Sequence, residues 1–259
     1  MNITWQADTY ASKFDFVPKY GEDVLSLLDC PPGAHVIDLG CGNGNLTVKM
    51  LAKGYNVLGV EQSPEMLDKA RADHPEINLL CADAVDFVAP EPVDAVFSNA
   101  VLHWIDAPRH DLLLQHVAAS LKMGGQFVFE CGGKGCAEVV HAALEAAFAR
   151  RGLIYPRVFY FPTIGEYVPR MEKAGLVPTY AALFHRWTEV SSVEDWIRMF
   201  VREPFAGMDP LLENEIIAEA SESTRGFLFQ NGTWHVDYVR LRVRAIRSQA
   251  TAHDVPYLP

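Results

Sequence analysis

The sequence predicts an α/β protein with a doubly wound, mostly parallel sheet of seven strands. In the first half, five apolar runs alternate with helix-like stretches, and a glycine-rich turn follows the first run. In the second half, two more strand-like runs flank a helical stretch. Strands that alternate with helices at this spacing form a parallel sheet covered on both faces. The 259 residues, 49% of them hydrophobic, suit one domain of this kind.

The first half supplies five predicted strands and three helices. The strands are the apolar runs at residues 35–39, 56–61, 78–82, 93–99 and 126–130. The helices are predicted over residues 45–53, 64–73 and 109–122. The second helix has the clearest start, because Ser63 suits the N-cap and Pro64 suits the first helical position.

The second half predicts an antiparallel edge and a lid. Helices are predicted over residues 137–151 and 163–174, and strands over residues 177–188 and 235–247. Gly175 ends the shorter helix. The stretch at 193–225 is mostly helical and too long for a hairpin loop. We therefore expect a helical insertion at about residues 190–230, before the last strand.

Charge and composition exclude several classes of protein. The formal net charge of −11 argues against a nucleic-acid partner, which requires a basic face. There is no run of 18 apolar residues and no basic-then-apolar leader, so we expect a soluble, cytoplasmic protein without a membrane partner. The five cysteines form no C-x-x-C pair, which predicts reduced thiols and no metal site. We expect a monomer or a homodimer.

The turn VIDLGCGNGN is the strongest indication of a ligand site. Gly40, Gly42 and Gly44 let a ligand approach the main chain closely. Each glycine costs conformational entropy on folding, so three in one turn indicate a ligand site and not only a reversal of the chain. Asp38 lies directly before them. A pyrophosphate favours helix N–H groups without a nearby carboxylate, so this acid favours a cationic ligand over NAD and makes hydride transfer the weaker hypothesis.

Three more polar residues lie at the carboxyl ends of predicted strands. Glu61 ends the second strand, about 20 residues beyond the glycines, where a carboxylate binds ribose hydroxyls. Asp83 follows the third strand and can accept from an adenine amino group. Asn99 ends the fourth strand. Open α/β sheets bind ligands at this edge, so these side chains are expected to face one crevice.

Five segments in order along the chain resemble successive motifs of the class I S-adenosylmethionine-dependent methyltransferases. They are VIDLGCGNGN, GVEQSPEML, CADA, VFSNAVLHW and GGQFVFE, within a match over roughly residues 5–130. FSNAVLHW, DWI and WHVDYVRLRVRAI also resemble the trans-aconitate methyltransferase branch. The resemblance implies the Rossmann-like methyltransferase fold, S-adenosyl-L-methionine as donor, S-adenosyl-L-homocysteine as product, and a small-molecule acceptor.

The resemblance also implies a set of cofactor-binding residues. Asp38 would orient the turn and the amino group of the cofactor, Glu61 would hold the ribose, and Asp83 would bind the adenine edge. Asn99 would lie near the amino-acid end. The complete set is Trp5, Tyr10, Asp38, Gly40, Cys41, Gly42, Asn43, Glu61, Gln62, Met66, Asp83, Ala84, Asn99 and Ala100. Trp5, Tyr10 and Phe14 look like a segment that folds over the cofactor.

A single domain in three parts follows from this resemblance. Residues 1–30 would form cofactor-covering helices, residues 31–135 the cofactor-binding half, and residues 136–259 the half that carries the substrate site and the lid.

Two residues after the fourth strand have a predicted role at the acceptor. His103 is a candidate general base and Trp104 a candidate wall of the acceptor pocket; the alternative is an aromatic pair that only packs. Gly132 and Gly133, after the fifth strand, would border this pocket.

Arg198 and Arg202, four residues apart in WIRMFVREP, are expected on one helical face. They either bind an acceptor carboxylate or form a solvated lid surface. The trans-aconitate enzymes have G-T-x-L-R-P near here, whereas this chain has MFVREPFAG, so its glycine and threonine are absent.

The favoured function is methylation of a small molecule, with O-methylation of a carboxylate or hydroxyl preferred. A carboxylate is already ionised at neutral pH, whereas a hydroxyl needs a base such as His103. Cys131 and Cys136 leave an arsenite methyltransferase as an alternative, although isolated cysteines commonly pack as small hydrophobes. A protein that binds the cofactor without methyl transfer is the other alternative.

Overall fold

The computed structural model describes residues 16–248, with side chains described from residue 21. Trp5, Tyr10 and Phe14, which were predicted to cover the cofactor, lie outside this part of the chain. Within it, no helix has the length and apolar character needed to cross a membrane.

The predicted sheet is confirmed. Its main strands are β1 His35–Leu39, β2 Asn56–Glu61, β3 Asn78–Cys81, β4 Val93–Asn99, β5 Leu121–Gly132, β6 Leu176–Val190 and β8 Thr233–Arg247. They are ordered β3-β2-β1-β4-β5-β8-β6. The pairs among β1–β5 are parallel. A two-residue strand, β7 Phe229–Gln230, pairs with β8.

The two late strands form the antiparallel end of the sheet that the sequence predicts. β8 runs antiparallel but lies between β5 and β6, so it is internal, and β6 forms the edge. The alternation of residues in a strand predicts its faces but does not specify its neighbours, because pairing joins segments far apart in the chain. The sequence therefore predicts the antiparallel end of the sheet but not the order of its two strands.

The helices cover both faces and form the insertion. They are α1 Phe16–Leu25, α2 Asn45–Ala52, α3 Pro64–Asp73, α4 His110–Ser120, α5 Glu138–Ala149, α6 Ile164–Lys173, α7 Val193–Phe200 and α8 Pro210–Leu228. α4 ends two residues earlier than predicted, because Leu121 already pairs with Val93 in the sheet. Ser63 accepts a hydrogen bond from Met66 N–H at the start of α3, and this N-cap was predicted.

Three apolar clusters hold the layers together. One packs α4 and α6 against the sheet around Phe127 and Phe129, and another packs α1 and α2 on the opposite face around Phe97. The third joins α5, α7 and α8 around Trp196 and includes Trp104 from the turn after β4. The carboxyl ends of β1, β2, β4 and β5 are thereby fixed along one edge of the sheet, next to the insertion.

Candidate cofactor and acceptor site

The glycine turn between β1 and α2 is fixed by backbone contacts. Gly40 and Cys41 both donate their N–H groups to the carbonyl oxygen of Val60, at 2.7 and 3.1 Å. Gly40 has a φ of +79°, and a Cβ atom there would overlap the side chain of Val101 in the loop after β4. The main chain at Gly40 therefore packs against Val101 in a space that admits no side chain, which fixes the path of the turn.

Replacement of Gly40 by alanine is expected to destabilise the protein by about 2 kcal/mol and to abolish cofactor binding. The added methyl group meets both an unfavourable φ and a clash with Val101. Gly124→Ala is a matched control, since Gly124 has a φ of +77° and open space around it. Chemical denaturation should show a larger loss for Gly40→Ala; equal losses would contradict the close approach to Val101.

Asp38 is a buried carboxylate at the end of β1. Its Oδ2 accepts a hydrogen bond of 2.7 Å from the Thr47 hydroxyl on α2. Burial raises the pKa of Asp38 to about 7; the Thr47 hydrogen bond opposes this shift, and the nearby charge of Glu61 adds to it. A buried acid whose charge is penalised in this way suits a cationic ligand.

Glu61 organises the glycine turn from the end of β2. Its Oε2 accepts the N–H of Gly42 at 3.1 Å, and its Oε1 accepts the N–H groups of Gln62 and Ser63 at 2.8 and 2.9 Å. Burial raises the pKa of Glu61, while these three N–H groups oppose the shift. A carboxylate offers about four acceptor positions, so capacity remains for a ligand hydroxyl.

The residues predicted around the adenine line the same edge of the sheet. Asp83 is half-buried; its Oδ1 accepts the N–H of Val85 at 2.8 Å, and its Oδ2 lies 3.4 Å from Arg109. Arg109 therefore shares the carboxylate that was predicted to meet an adenine amino group. Gln62 is exposed, and the remaining predicted residues are buried: Cys41, Asn43, Met66 and Ala84.

The end of β4 shows an unsatisfied polar atom and a strained residue. Asn99 Oδ1 is buried and has no hydrogen-bond partner among the described atoms. Ala100 has a φ of +60°, and its N–H donates to the carbonyl of Glu130 at 2.8 Å. Strain of this kind persists where the surroundings enforce it, and it clusters at ligand sites. Together with Asp38 and Glu61, Asn99 Oδ1 suits a positively charged ligand that brings its own N–H and O–H donors.

His103 is oriented by the backbone of the fifth strand. It lies in the 3₁₀ turn Leu102–Trp104, and its Nδ1 accepts the N–H of Gly132 at 3.2 Å. The hydrogen of the neutral ring is then on Nε2. Burial holds the pKa of His103 well below its usual range, and the charge of Arg240 and the ring of His110 act in the same direction. His103 therefore presents an N–H donor and not a free basic nitrogen.

Trp104 connects this turn to the insertion. Its indole N–H donates to the carbonyl of Ala100 at 3.2 Å, and its ring packs against Phe159 and Phe200. Gly132 and Gly133 are buried, and the Gly133 N–H donates to Val239 on β8. The predicted acceptor residues His103, Trp104 and Gly132 thus form one connected group.

The predicted arginine pair is not on one helical face. α7 ends at Phe200, before Arg202, which precedes a short turn Glu203–Phe205. That interpretation is wrong because Val201 leaves helical geometry. Arg198 is exposed and donates to Asn214 on α8 at 2.8 Å, which accounts for it as part of the surface of the insertion.

Cys131 and Cys136 are both buried beside the candidate site. Burial raises the pKa of Cys131 to about 12 and that of Cys136 to about 11. A soft metalloid is bound by thiolates, so neutral thiols of this kind do not favour the arsenite alternative. Within residues 16–248, no three histidine, cysteine, aspartate or glutamate side chains come together as a metal site.

A buried ionic cluster next to His103 was not predicted from the sequence. Glu130, on β5, accepts hydrogen bonds from Arg186, Arg240 and Arg242. One signal was available in the alternation RLRVR, because arginines at every second position of a strand share one face. Nothing in the sequence alone indicated that this face would meet Glu130.

Comparisons with known proteins agree with this geometry. Residues 36–125 match the family model of a methyltransferase domain. The chain is 27% identical to an uncharacterised methyltransferase of Schizosaccharomyces pombe, over 92% of this chain and 96% of that protein. It is 29% identical to a trans-aconitate 2-methyltransferase of Methylobacterium radiotolerans, over 80% and 82%. A crystal structure of an S-adenosylmethionine-dependent methyltransferase from Mesorhizobium loti has the same fold, with a TM-score of 0.56, 19% identity and coverage of 90% and 99%.

Proposed function

Because the chain belongs to the class I S-adenosylmethionine-dependent methyltransferases, in the branch of the trans-aconitate methyltransferases, we propose that it methylates a carboxylate oxygen of a small acidic molecule. The cofactor is S-adenosyl-L-methionine. The relatives that are named trans-aconitate 2-methyltransferase support an acidic acceptor.

The orientation of His103 is the observation that favours a carboxylate over a hydroxyl. A hydroxyl acceptor must lose a proton to a base within hydrogen-bond distance. The Nδ1 lone pair of His103 is occupied by the Gly132 N–H, and burial lowers the pKa of the ring. A carboxylate is ionised at neutral pH and needs no base, so it is compatible with a histidine that acts as a donor.

The cofactor residues are proposed to bind and to orient. Asp38 would balance the positive charge of the cofactor, Glu61 would accept from the ribose while it holds Gly42, and Asn99 Oδ1 would accept near the amino-acid end. The sulfonium donor supplies a methyl group to an in-line nucleophile. Positioning and exclusion of water then account for most of the rate enhancement, and these are tasks of a buried site.

Labelled S-adenosylmethionine and a panel of small acids test this function. We expect label to enter trans-aconitate or a related acid in a product that alkali hydrolyses, with S-adenosylhomocysteine released in equal amount. An alkali-stable product from a phenol or alcohol would contradict the carboxylate. Binding of S-adenosylmethionine without turnover on the whole panel would instead favour a protein that binds the cofactor without methyl transfer.

Replacement of His103 by asparagine is expected to lower kcat by less than about tenfold. The asparagine oxygen can still accept the Gly132 N–H, so the turn is kept while the imidazole is removed. Loss of a general base costs about 10²–10⁴-fold in rate. A fall of that size, with loss of a titration step from the pH profile of kcat, would restore His103 as the base and favour a hydroxyl acceptor.

The outer parts of the chain complete the proposal. Trp104 packs against Phe200 of α7, so the insertion adjoins the turn that carries His103. We propose that residues 190–230 cover the acceptor and that residues 1–30 cover the cofactor, as the sequence predicts.

A further inference from the structure

We propose that His141 binds the methyl acceptor through its Nε2 atom, in a subsite with aromatic walls that takes flat acids with an uncharged oxygen opposite the carboxylate. This inference rests on the proposed function and names a substrate class for it. Three observations carry it: the unpaired Nε2 of His141, the rings around this nitrogen, and the contact of the same rings with His103.

His141 is a buried residue of α5 with one unsatisfied nitrogen. Its side chain belongs to a residue that is 1% exposed, and its Nδ1 lies 2.8 Å from the hydroxyl of Tyr155. Its Nε2 is buried and has no hydrogen-bond partner among the described atoms. A buried polar group without a partner is destabilising, so this nitrogen indicates a partner from outside the chain.

His110, on α4, forms the same kind of pair with a tyrosine and is satisfied at both nitrogens. Its Nδ1 lies 2.9 Å from the hydroxyl of Tyr167, and its Nε2 lies 3.1 Å from the carbonyl oxygen of Ile105. A carbonyl only accepts, so Nε2 of His110 carries the hydrogen and the tyrosine hydroxyl donates to Nδ1. The fold thus completes one histidine–tyrosine pair and leaves the pair of His141 open.

The Tyr155 hydroxyl determines which nitrogen of His141 carries the hydrogen. When the hydroxyl donates to Nδ1, both atoms are satisfied, whereas the reverse arrangement leaves the phenol hydrogen unpaired as well. Burial and the charge of Arg157 lower the pKa of His141 to about 4, so the ring is neutral at pH 7. Glu138 and Glu145 oppose this shift but do not cancel it. Nε2 is therefore a neutral N–H donor.

Aromatic rings surround this donor. The ring centres of Phe159, Phe161 and Trp196 lie 5.3, 6.0 and 6.0 Å from that of His141. The two nitrogens of an imidazole point in nearly opposite directions, so Nε2 points away from Tyr155. Trp196 lies at 75° to the imidazole, and the face of a ring gives an N–H group only a weak contact. The rings therefore enclose the N–H group without satisfying it.

Phe159 and Phe161 connect His141 to the proposed reacting centre. The two rings are stacked, with their centres 5.3 Å apart and their planes at 5°. Their centres lie 6.3 and 6.0 Å from that of His103, so both histidines adjoin the same pair of rings. Phe159 and Phe161 are only half-buried, and they belong to residues 153–163, a segment with neither helix nor strand.

A ligand reaches Nε2 of His141 when one of these rings changes its rotamer, because the nitrogen is closed to solvent in the present arrangement. The backbone of the segment is held by two hydrogen bonds. Tyr160 N–H donates to the carbonyl of His103 at 3.1 Å, and Lys134 N–H donates to the carbonyl of Pro162 at 3.0 Å. Rotation about side-chain bonds leaves both contacts in place. The ligand then occupies the place of a phenyl ring.

The surroundings define the chemistry of this ligand. A group that replaces a phenyl ring among other rings is flat and apolar. Burial of a second charge among these rings is costly, so the neutral N–H of His141 favours an uncharged oxygen, such as that of a ketone. The carboxylate then lies at the other end, where His103 presents its own N–H group. The subsite therefore takes aryl acids that carry an oxygen in the para position.

Two benzoates that differ in one heavy atom test the subsite. 4-Acetylbenzoate has a carbonyl oxygen where 4-isopropenylbenzoate has a CH₂ group. Calorimetry on the protein loaded with S-adenosylhomocysteine should show that 4-acetylbenzoate binds about tenfold more tightly. In His141→Asn the amide oxygen still accepts from Tyr155 but the Nε2 donor is absent, so the two affinities should agree within about twofold. His141→Gln, whose amide nitrogen reaches the place of Nε2, should restore a preference of about threefold or more.

His110→Asn is the matched control. It removes an imidazole from the histidine–tyrosine pair whose Nε2 already donates to Ile105. Both asparagine variants should lose stability, but His110→Asn should keep the wild-type preference for 4-acetylbenzoate. A purely structural role of His141 lowers stability without changing the ratio of the two affinities. If His141→Asn does not fold, a crystal structure of the wild-type complex decides, with the acetyl oxygen expected within hydrogen-bond distance of His141 Nε2.

The outcomes separate this inference from the proposed function. Equal affinities of the two benzoates for the wild type, no binding of either, or a preference that persists in His141→Asn would overturn the subsite. If the wild type binds 4-acetylbenzoate through His141 but methylates no acid, the proposed function fails and the subsite stands. If it methylates other acids and does not distinguish the two benzoates, the subsite fails and the proposed function stands.

Discussion

Replacement of Asp38 by asparagine is expected to weaken S-adenosylmethionine binding by about 100-fold, which corresponds to about 2.7 kcal/mol. The change removes a buried negative charge and keeps the shape of the side chain, so Thr47 can still donate to the remaining oxygen. Loss of one partner from a buried charged pair typically costs about 2–5 kcal/mol. Titration calorimetry with S-adenosylmethionine and S-adenosylhomocysteine measures the effect, and unchanged affinity would contradict the role of Asp38.

Without ligand at pH 8, Asp38→Asn should be at least as stable as the wild type. Burial raises the pKa of Asp38 to about 7, far above that of an unfolded aspartate, so ionisation of this group disfavours the folded state. Its contribution is most favourable below the unfolded pKa of about 3.9, and it is lost as the pH rises towards 7. A neutral asparagine avoids this penalty. A thermal melt at pH 8 checks the prediction, and a large fall in Tm would show that the charge supports the fold.

Cofactor affinity should depend on pH through this carboxylate. Below about pH 7 the free protein carries a proton on Asp38, and this proton must leave before the cationic cofactor binds. The affinity for S-adenosylmethionine should therefore fall by up to tenfold for each unit that the pH is lowered from 7 to 5. Above about pH 7 this dependence levels off. Asp38→Asn should remove it, and a dependence that persists in the variant would assign the titration to another group.

Replacement of Glu61 by glutamine is expected to weaken S-adenosylmethionine binding by about 100-fold, as for Asp38→Asn, and also to destabilise the protein by about 1–3 kcal/mol. Three backbone N–H groups share this carboxylate, and an amide has only one oxygen to accept them. 5′-Methylthioadenosine, which lacks the amino-acid part, separates the two variants. Glu61→Gln should weaken its binding, whereas Asp38→Asn should not.

An exposed acid nearby provides the control for Glu61. Glu65→Gln alters an exposed carboxylate in the first turn of α3 that accepts a hydrogen bond from the Ser63 hydroxyl. The affinities of Glu65→Gln for S-adenosylmethionine and for 5′-methylthioadenosine should stay within about twofold of the wild-type values. If Glu61→Gln binds 5′-methylthioadenosine as the wild type does, the ribose is held elsewhere.

Local patterns predicted the cofactor half of the fold well. The bounds of β1, β2 and β4 follow from apolar runs, and the glycine turn and the acids after each strand indicated the ligand edge. These features depend on residues that are close in sequence, so hydrophobic periodicity and turn residues are enough to predict them. The start of β5 at Leu121 was missed, since only its pairing with Val93 reveals it.

The acceptor half was harder to predict from the sequence because its contacts join residues far apart in the chain. The place of β8 between β5 and β6 joins segments more than 40 residues apart, and it creates the cluster of Glu130 with three arginines. The tautomer of His103 likewise depends on the N–H of Gly132, 29 residues away. Residue types alone made this histidine a plausible base.

The internal position of β8 determines when the enzyme is completed during synthesis. The strands that carry the glycine turn leave the ribosome first and can assemble from β1–β5, but β6 has to wait for residues 233–247 before it gains a neighbour. Until then β5 presents an open edge of the type that promotes aggregation. Nascent chains truncated before Thr233 would therefore possess the glycine turn and the acids after β1 and β2 without the arginines of β8 that bind Glu130.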